Sequence, residues 1–175
     1  MPVAASAAAA PYRLVVEERY SAPLELAAAA RARGWAVSTI RGDVTRLWYE
    51  DFALRWRSGP APIIGMTTAS TLFVLERLAW DAGMRLNLRI DHRVGRDGGV
   101  EHAVAAQPGL VGRHELSGLA RPAGVALLPA LLARATRAAR GPAERYSLAG
   151  AATGSPFGGE WLVSWSIGTR PRATA

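Results

Sequence analysis

IIGMTTASTLFVLERLAWDAGMRLNLRIDHRV, residues 63–94, contains the change of period that decides the fold. Ile63 to Met66 is a short apolar run, the pattern of a strand covered on both faces. Thr67 or Thr68 then offers an N-cap hydroxyl to a helix that runs to about Ala82, and Gly83 ends it. From Met84 the period becomes two. Apolar residues fall at 84, 86, 88, 90 and 94, the alternation of a strand with one buried and one wet face.

Upstream of this stretch the chain alternates strand and helix. Arg13 to Glu18 reads as a strand. Ala22 to Arg33 reads as a helix with Ser21 as N-cap, Pro23 in its first turn and Gly34 as terminator. Trp35 to Ile40 is a second strand, and Asp43 caps a helix from Val44 to Ser58 that Gly59 ends. Strand–helix–strand units at this spacing imply right-handed crossovers and a mainly parallel sheet. The expected fold is therefore α/β, with a three-layer Rossmann-like or flavodoxin-like N-terminal half. That likeness is one of layout and carries little about function.

Downstream the pattern is antiparallel. Arg96-Asp97-Gly98-Gly99 is a turn and Val100 to Ala106 the return strand. Gln107-Pro108-Gly109 is a second turn, after which Leu110 to Leu116 reads as the third strand of a meander. Gly124 to Arg140 reads as a helix restarted at Pro129 and closed by Gly141-Pro142. Trp161 to Ile167 is a last strand, with Trp161, Val163, Trp165 and Ile167 on one face. Residues 1–12 read as a disordered Ala-rich tail, 13–168 as a single domain and 169–175 as a flexible Arg-containing tail.

Composition excludes several chemistries. The chain has no Cys, so disulfides, thiolate metal sites and cysteine nucleophiles are ruled out. All 21 basic residues are Arg, which removes Schiff-base and P-loop lysines. This bias, with abundant Ala and Gly, is that of a GC-rich bacterial coding sequence. The formal charge is +7, but acids interrupt most Arg positions, which argues against nucleic-acid binding. No apolar run approaches the roughly 20 residues of a membrane span, and the cytoplasm is the expected compartment. No G-x-G-x-x-G, Walker, G-x-S-x-G or H-E-x-x-H pattern is present.

Two constellations could carry chemistry. In an open parallel sheet, ligands bind beyond the strand C-termini, beside helix N-termini. Thr67, Thr68 and Ser70 offer hydroxyls and free N–H groups there, with Arg19, Arg41 and Asp43 on the neighbouring strand ends. The plainer role for Ser21, Asp43 and Thr67 or Thr68 is helix capping. The second constellation is the histidines. With turns centred on Asp97 and Pro108, His92 lies opposite His102 and His102 opposite His114. Three imidazoles in one row could hold zinc or another divalent metal, and the plainer role is packing.

Trp48, Phe52 and Trp56 fall at helical spacing and read as core. Trp161 and Trp165 read as core, or as a partner surface if their strand is an edge. Arg134, Arg137 and Arg140 fall on one helical side, a solvated face or a contact for phosphate or an acidic protein. These features favour an accessory or binding protein without independent catalysis, docking on a protein partner or homo-oligomer or taking a small anionic ligand. A small enzyme acting on an anionic metabolite, with or without a metal held by the histidines, is the alternative. Nucleic-acid binding ranks last.

Overall fold

A computed structural model describes residues 10–94, 99–121, 124–137, 142–150 and 161–169. The turn expected at 96–98 and the tail segments 1–9 and 170–175 lie outside the described residues. The chain is a mixed α/β protein built on a seven-stranded sheet of order β2-β1-β3-β7-β4-β5-β6.

The N-terminal half follows the expected alternation. Strand β1 (Arg13–Glu17) leads into helix α1 (Ser21–Arg31), and β2 (Val37–Ile40) pairs parallel to β1. A helical segment follows in three pieces: α2 (Thr45–Leu47), a π-helical turn (Trp48–Phe52) and α3 (Ala53–Arg57). Strand β3 (Ile63–Thr68) then pairs parallel to β1 on its other side. The chain thus moves in opposite directions across the sheet in its first two crossovers. Right-handed crossovers place their helices on opposite faces. Accordingly α1 packs against Leu14, Val16, Ile64 and Met66. Phe52 and Trp56 of the second crossover pack instead with Val15 and Ile63. Tyr12, assigned by sequence to the N-terminal tail, hydrogen-bonds Asp51 through its hydroxyl and packs edge-on to Phe52.

Helix α4 (Ala69–Asp81) joins β3 to β4 (Met84–Val94), whose register shifts between Leu86 and Leu88. The unbroken alternation in the sequence therefore does not lie on one face. Met84 belongs to the core beneath α4, whereas Leu88 and Ile90 belong to the core on the opposite face. The extra residue lets β4 serve both cores in turn.

Strand β5 (Val100–Ala106) pairs with β4 as expected. The third antiparallel strand does not come from residues 110–116. That segment is a turn followed by helix α5 (Arg113–Leu119), in which Leu116 and Leu119 are buried at a spacing of three. The Glu115 carboxylate accepts the Gly112 N–H at 2.8 Å, the Glu half of a capping box, which favours helix. The strand beside β5 is instead β6 (Glu144–Gly150). Its alternation of half-buried Tyr146 and Leu148 with exposed neighbours was a signal present in the sequence.

The expected helix at 124–140 is a 3₁₀ turn (Gly124–Leu127) and helix α6 (Leu128–Arg134), with Pro129 in its first turn. Arg134 therefore ends the helix, Arg137 forms an isolated bridge with Thr169, and Arg140 lies outside the described residues. No helical Arg row exists over the described part. Arg134 pairs with Glu115 and donates to the Leu110 carbonyl, tying α6 to α5.

The last strand is β7 (Leu162–Thr169), where Trp165 is core. This last strand is not an edge. It enters the middle of the sheet, antiparallel to both β3 and β4, and is buried along nearly its whole length. Trp165 is fully buried, so it cannot form a partner surface, and only Trp161 before the strand is exposed. Gly65 opposite Trp165 makes this insertion fit: a Cβ there would lie 2.5 Å from the Val15 carbonyl oxygen and inside the Trp165 ring. Among the described residues no helix is long and apolar enough to cross a membrane.

Candidate functional site

The C-terminal ends of β1, β2 and β3 lie at one edge of the sheet because the three strands are parallel. Helices α1 and α4 leave this edge toward opposite faces, so β1 and β3 bracket a topological switch point. The loops there are joined by Glu17, which is fully buried. Its carboxylate accepts the Arg19 Nε–H at 2.8 Å and the Gly42 N–H at 2.7 Å. Gly42 has φ +75°, and a Cβ there would meet the Arg19 guanidinium at 3.2 Å. The Gly42 carbonyl in turn accepts the Thr71 hydroxyl at 3.2 Å. A buried carboxylate thus holds Arg19 against the Gly42 turn, and that turn is itself tied to the first turn of α4.

The two threonines separate in role. β3 extends through Thr68, so Thr67 is a strand residue and fully buried. Its hydroxyl oxygen accepts the indole N–H of Trp165 at 3.0 Å. Thr68 is the N-cap of α4, its hydroxyl accepting the Thr71 N–H and contacting the Ser70 and Thr71 hydroxyls. Ser70 is exposed. Tyr20, not Ser21, holds the N-cap position of α1. Val44, not Asp43, holds the N-cap position of α2, but Asp43 accepts the Thr45 N–H at 2.8 Å, and hydrogen bonds from the Thr45 side chain and N–H hold its carboxyl below the usual range.

Arg41 and Asp43 turn away from α4 into a different feature. A cleft of about 680 Å³ runs along β2 and the π-helical turn, lined by Ser38, Ile40, Arg41 and Asp43 on one side. Arg46, Leu47, Glu50 and Asp51 form the other side and Arg13 one end. The π-helical turn shapes this wall: the Ala53 N–H bonds the Trp48 carbonyl five residues back, and Glu50 and Asp51 lie inside that turn. Such turns recur at functional sites. Arg41 is paired with Glu18, which lowers the Glu18 pKa. Arg46 pairs with Glu50 at 3.0 Å and Arg13 with Asp51 at 2.6 Å, while the buried Arg13 Nε has no hydrogen-bond partner.

The histidines divide. His92 and His102 are cross-strand partners, as the hairpin register required, and both are buried. His114 is exposed on α5, so the three-member row does not form. The residue opposite His102 on its other side is Leu148. Among the described residues no group of three or more His, Asp or Glu could hold a metal ion. His92 also hydrogen-bonds Ser164 through Nε2 at 2.7 Å, a contact that needed β7 beside β4 and had no signal in the sequence. No protein-family model, curated protein or solved structure matches the chain.

Proposed function

We propose that the chain is a small binding protein that takes an anionic ligand, a carboxylate or phosphate, in the cleft along β2. Arg41 is the principal contact, with Arg46 and Arg13 beside it. The observation that carries this reading is three guanidinium groups lining one cleft of ligand size. The Arg41 and Arg46 side chains are 78% and 87% exposed and paired with rim carboxylates. Exposed pairs of this kind are worth about 0–1 kcal/mol. A ligand anion displaces Glu18 and Glu50 at small cost and gains bidentate, charge-assisted hydrogen bonds. Asp43 and Asp51 are already engaged by the Thr45 N–H and by Arg13 with Tyr12. The net charge of +7 raises the local concentration of anions. An enzyme acting on an anionic metabolite is the competing reading. The His92–His102 pair gives it no support, because the pair faces the core opposite the cleft.

The test is thermal unfolding in inorganic phosphate, sulfate and citrate. A concentration-dependent rise in Tm is expected for at least one anion, lost in Arg41→Ala and reduced in Arg46→Ala. Arg33→Ala on α1 should retain it. A rise that survives Arg41→Ala is a general salt effect and overturns the reading, as does the absence of any rise.

A further inference from the structure

Helices pack on both faces of β2, β1, β3, β7 and the first residues of β4, but β5, β6 and β4 from Arg89 onward are covered on one face only among the described residues. The uncovered face carries Ala103 and Ala105 on β5 and Ala149 on β6 as a floor of small side chains. Arg93, Glu101, Arg145 and Ser147 on the same face are exposed. One side of this floor is walled by α4, from which Phe73 and Trp80 project 58% and 43% exposed. Arg77 lies over both rings, 5.2 Å and 4.4 Å from their centroids, and Arg85 of β4 lies over the Trp80 ring.

The wall adjoins the floor because α4 packs against β4. Glu76 of α4 acts electrostatically on Arg89 of β4. Arg89 is paired with Asp91 at 2.8 Å, and Asp91 accepts the Trp161 indole N–H at 3.0 Å. Arg93 completes the series, 4.2 Å above the Trp161 ring. The surface therefore combines exposed aromatic rings with guanidinium groups held over them. Trp and Arg are the residues that most often dominate binding energy at interfaces.

We propose that this face docks an amphipathic helix of an acidic partner protein, which supplies the missing helical layer. Three strands spaced about 4.8 Å apart give a floor about 10 Å across, matching a helix about 10 Å in diameter. Alanine at the floor positions lets a helix axis approach closely. The sign of the partner follows from charge: Arg77, Arg85, Arg89, Arg93 and Arg145 outnumber Glu76, Asp91 and Glu101 across the surface. Apolar residues of the helix meet Phe73, Trp80 and Trp161, and its carboxylates meet Arg77, Arg93 and Arg145. This surface is separate from the β2 cleft.

The test uses a labelled synthetic helix with Leu along one side and Glu along the other, and the same peptide with Lys for Glu. The acidic peptide should bind and protect Phe73, Trp80 and Trp161 from hydroxyl-radical oxidation. The Lys peptide should not bind. Trp80→Ala and Arg93→Glu should each weaken binding at least about tenfold, and Ala105→Glu on the floor should do so without touching an aromatic residue. Arg33→Glu on α1 should change it little. Equal binding of both peptides, or binding unaffected by these variants, overturns the proposal. So does protection of the three aromatic residues in the peptide-free monomer, which would show that another segment of this chain covers the face. Protection that appears only as the chain dimerises would assign the face to a second copy and likewise overturn it.

Discussion

The Nδ1 atoms of His92 and His102 lie 2.8 Å apart in the core. At that distance one ring donates its N–H and the other accepts, so at least one of the two imidazoles must stay neutral for the hydrogen bond to exist. His92 has Ser164 on its other nitrogen, so the direction of the first hydrogen bond sets the direction of the second. Burial, with the neighbouring His102, pushes the His92 pKa down to about 3, and burial lowers that of His102.

Acid should therefore destabilise the fold well before ordinary carboxylates titrate. In the unfolded chain both histidines take up protons near pH ~6.5. Below that value the unfolded state binds more protons than the folded one. The stabilisation is complete above about pH 6.5 and is lost as pH falls toward the folded value near 3. Urea midpoints should hold from pH 8 to about pH 7 and fall steadily from there to pH 5, and His92→Asn should reduce the slope. A wild-type midpoint unchanged over that range would contradict this account.

Removing one member of the string should cost more than its position near a strand end implies. His102→Ala leaves the His92 Nδ1 buried without its partner, at about 1–3 kcal/mol for the unsatisfied group. Ser164→Ala should cost a similar amount. Chemical denaturation of the two single variants and the double variant measures the coupling. Strictly additive losses would show that the two hydrogen bonds are independent.

Thr67 and Thr68 should respond differently to the same treatment. Thr67→Val keeps the shape but strands the Trp165 indole N–H in the core, at about 1–3 kcal/mol. Thr68→Ala removes the α4 cap, at about 1 kcal/mol. Near-ultraviolet circular dichroism should report the first through Trp165 and leave the second unchanged.

Gly65→Ala should be among the most damaging single substitutions. The added Cβ meets the Val15 carbonyl and the Trp165 ring, neither of which has room to move between packed strands. A loss of about 1–3 kcal/mol is expected from overpacking. Trp165→Leu in the same chain should recover part of it, measured as urea midpoint. A Gly65→Ala protein as stable as the parent would show that β7 does not sit against β3 as described.

The sequence by itself determined the local elements. Caps, terminal glycines and apolar periods are written within a few residues, so β1, α1, β2, β3 and α4 were legible close to their observed bounds. The His92–His102 pairing was legible too, because a short hairpin fixes its register through its turn. Where a turn suggested that the meander continues, the sequence misled: Leu110 to Leu116 follows Gln107-Pro108-Gly109 as a third strand would, yet Leu116 and Leu119 bury as a helix that the Gly112–Glu115 hydrogen bond starts. Only the tertiary structure decided where β7 goes. Its alternation fits an edge or a centre equally well, and the choice depends on which strands still have free hydrogen-bonding sides once β3 and β4 are placed. The same holds for the β2 cleft and the β4–β5–β6 face. Each is made by residues far apart in the chain, and no local pattern records which sheet face a distant helix leaves open.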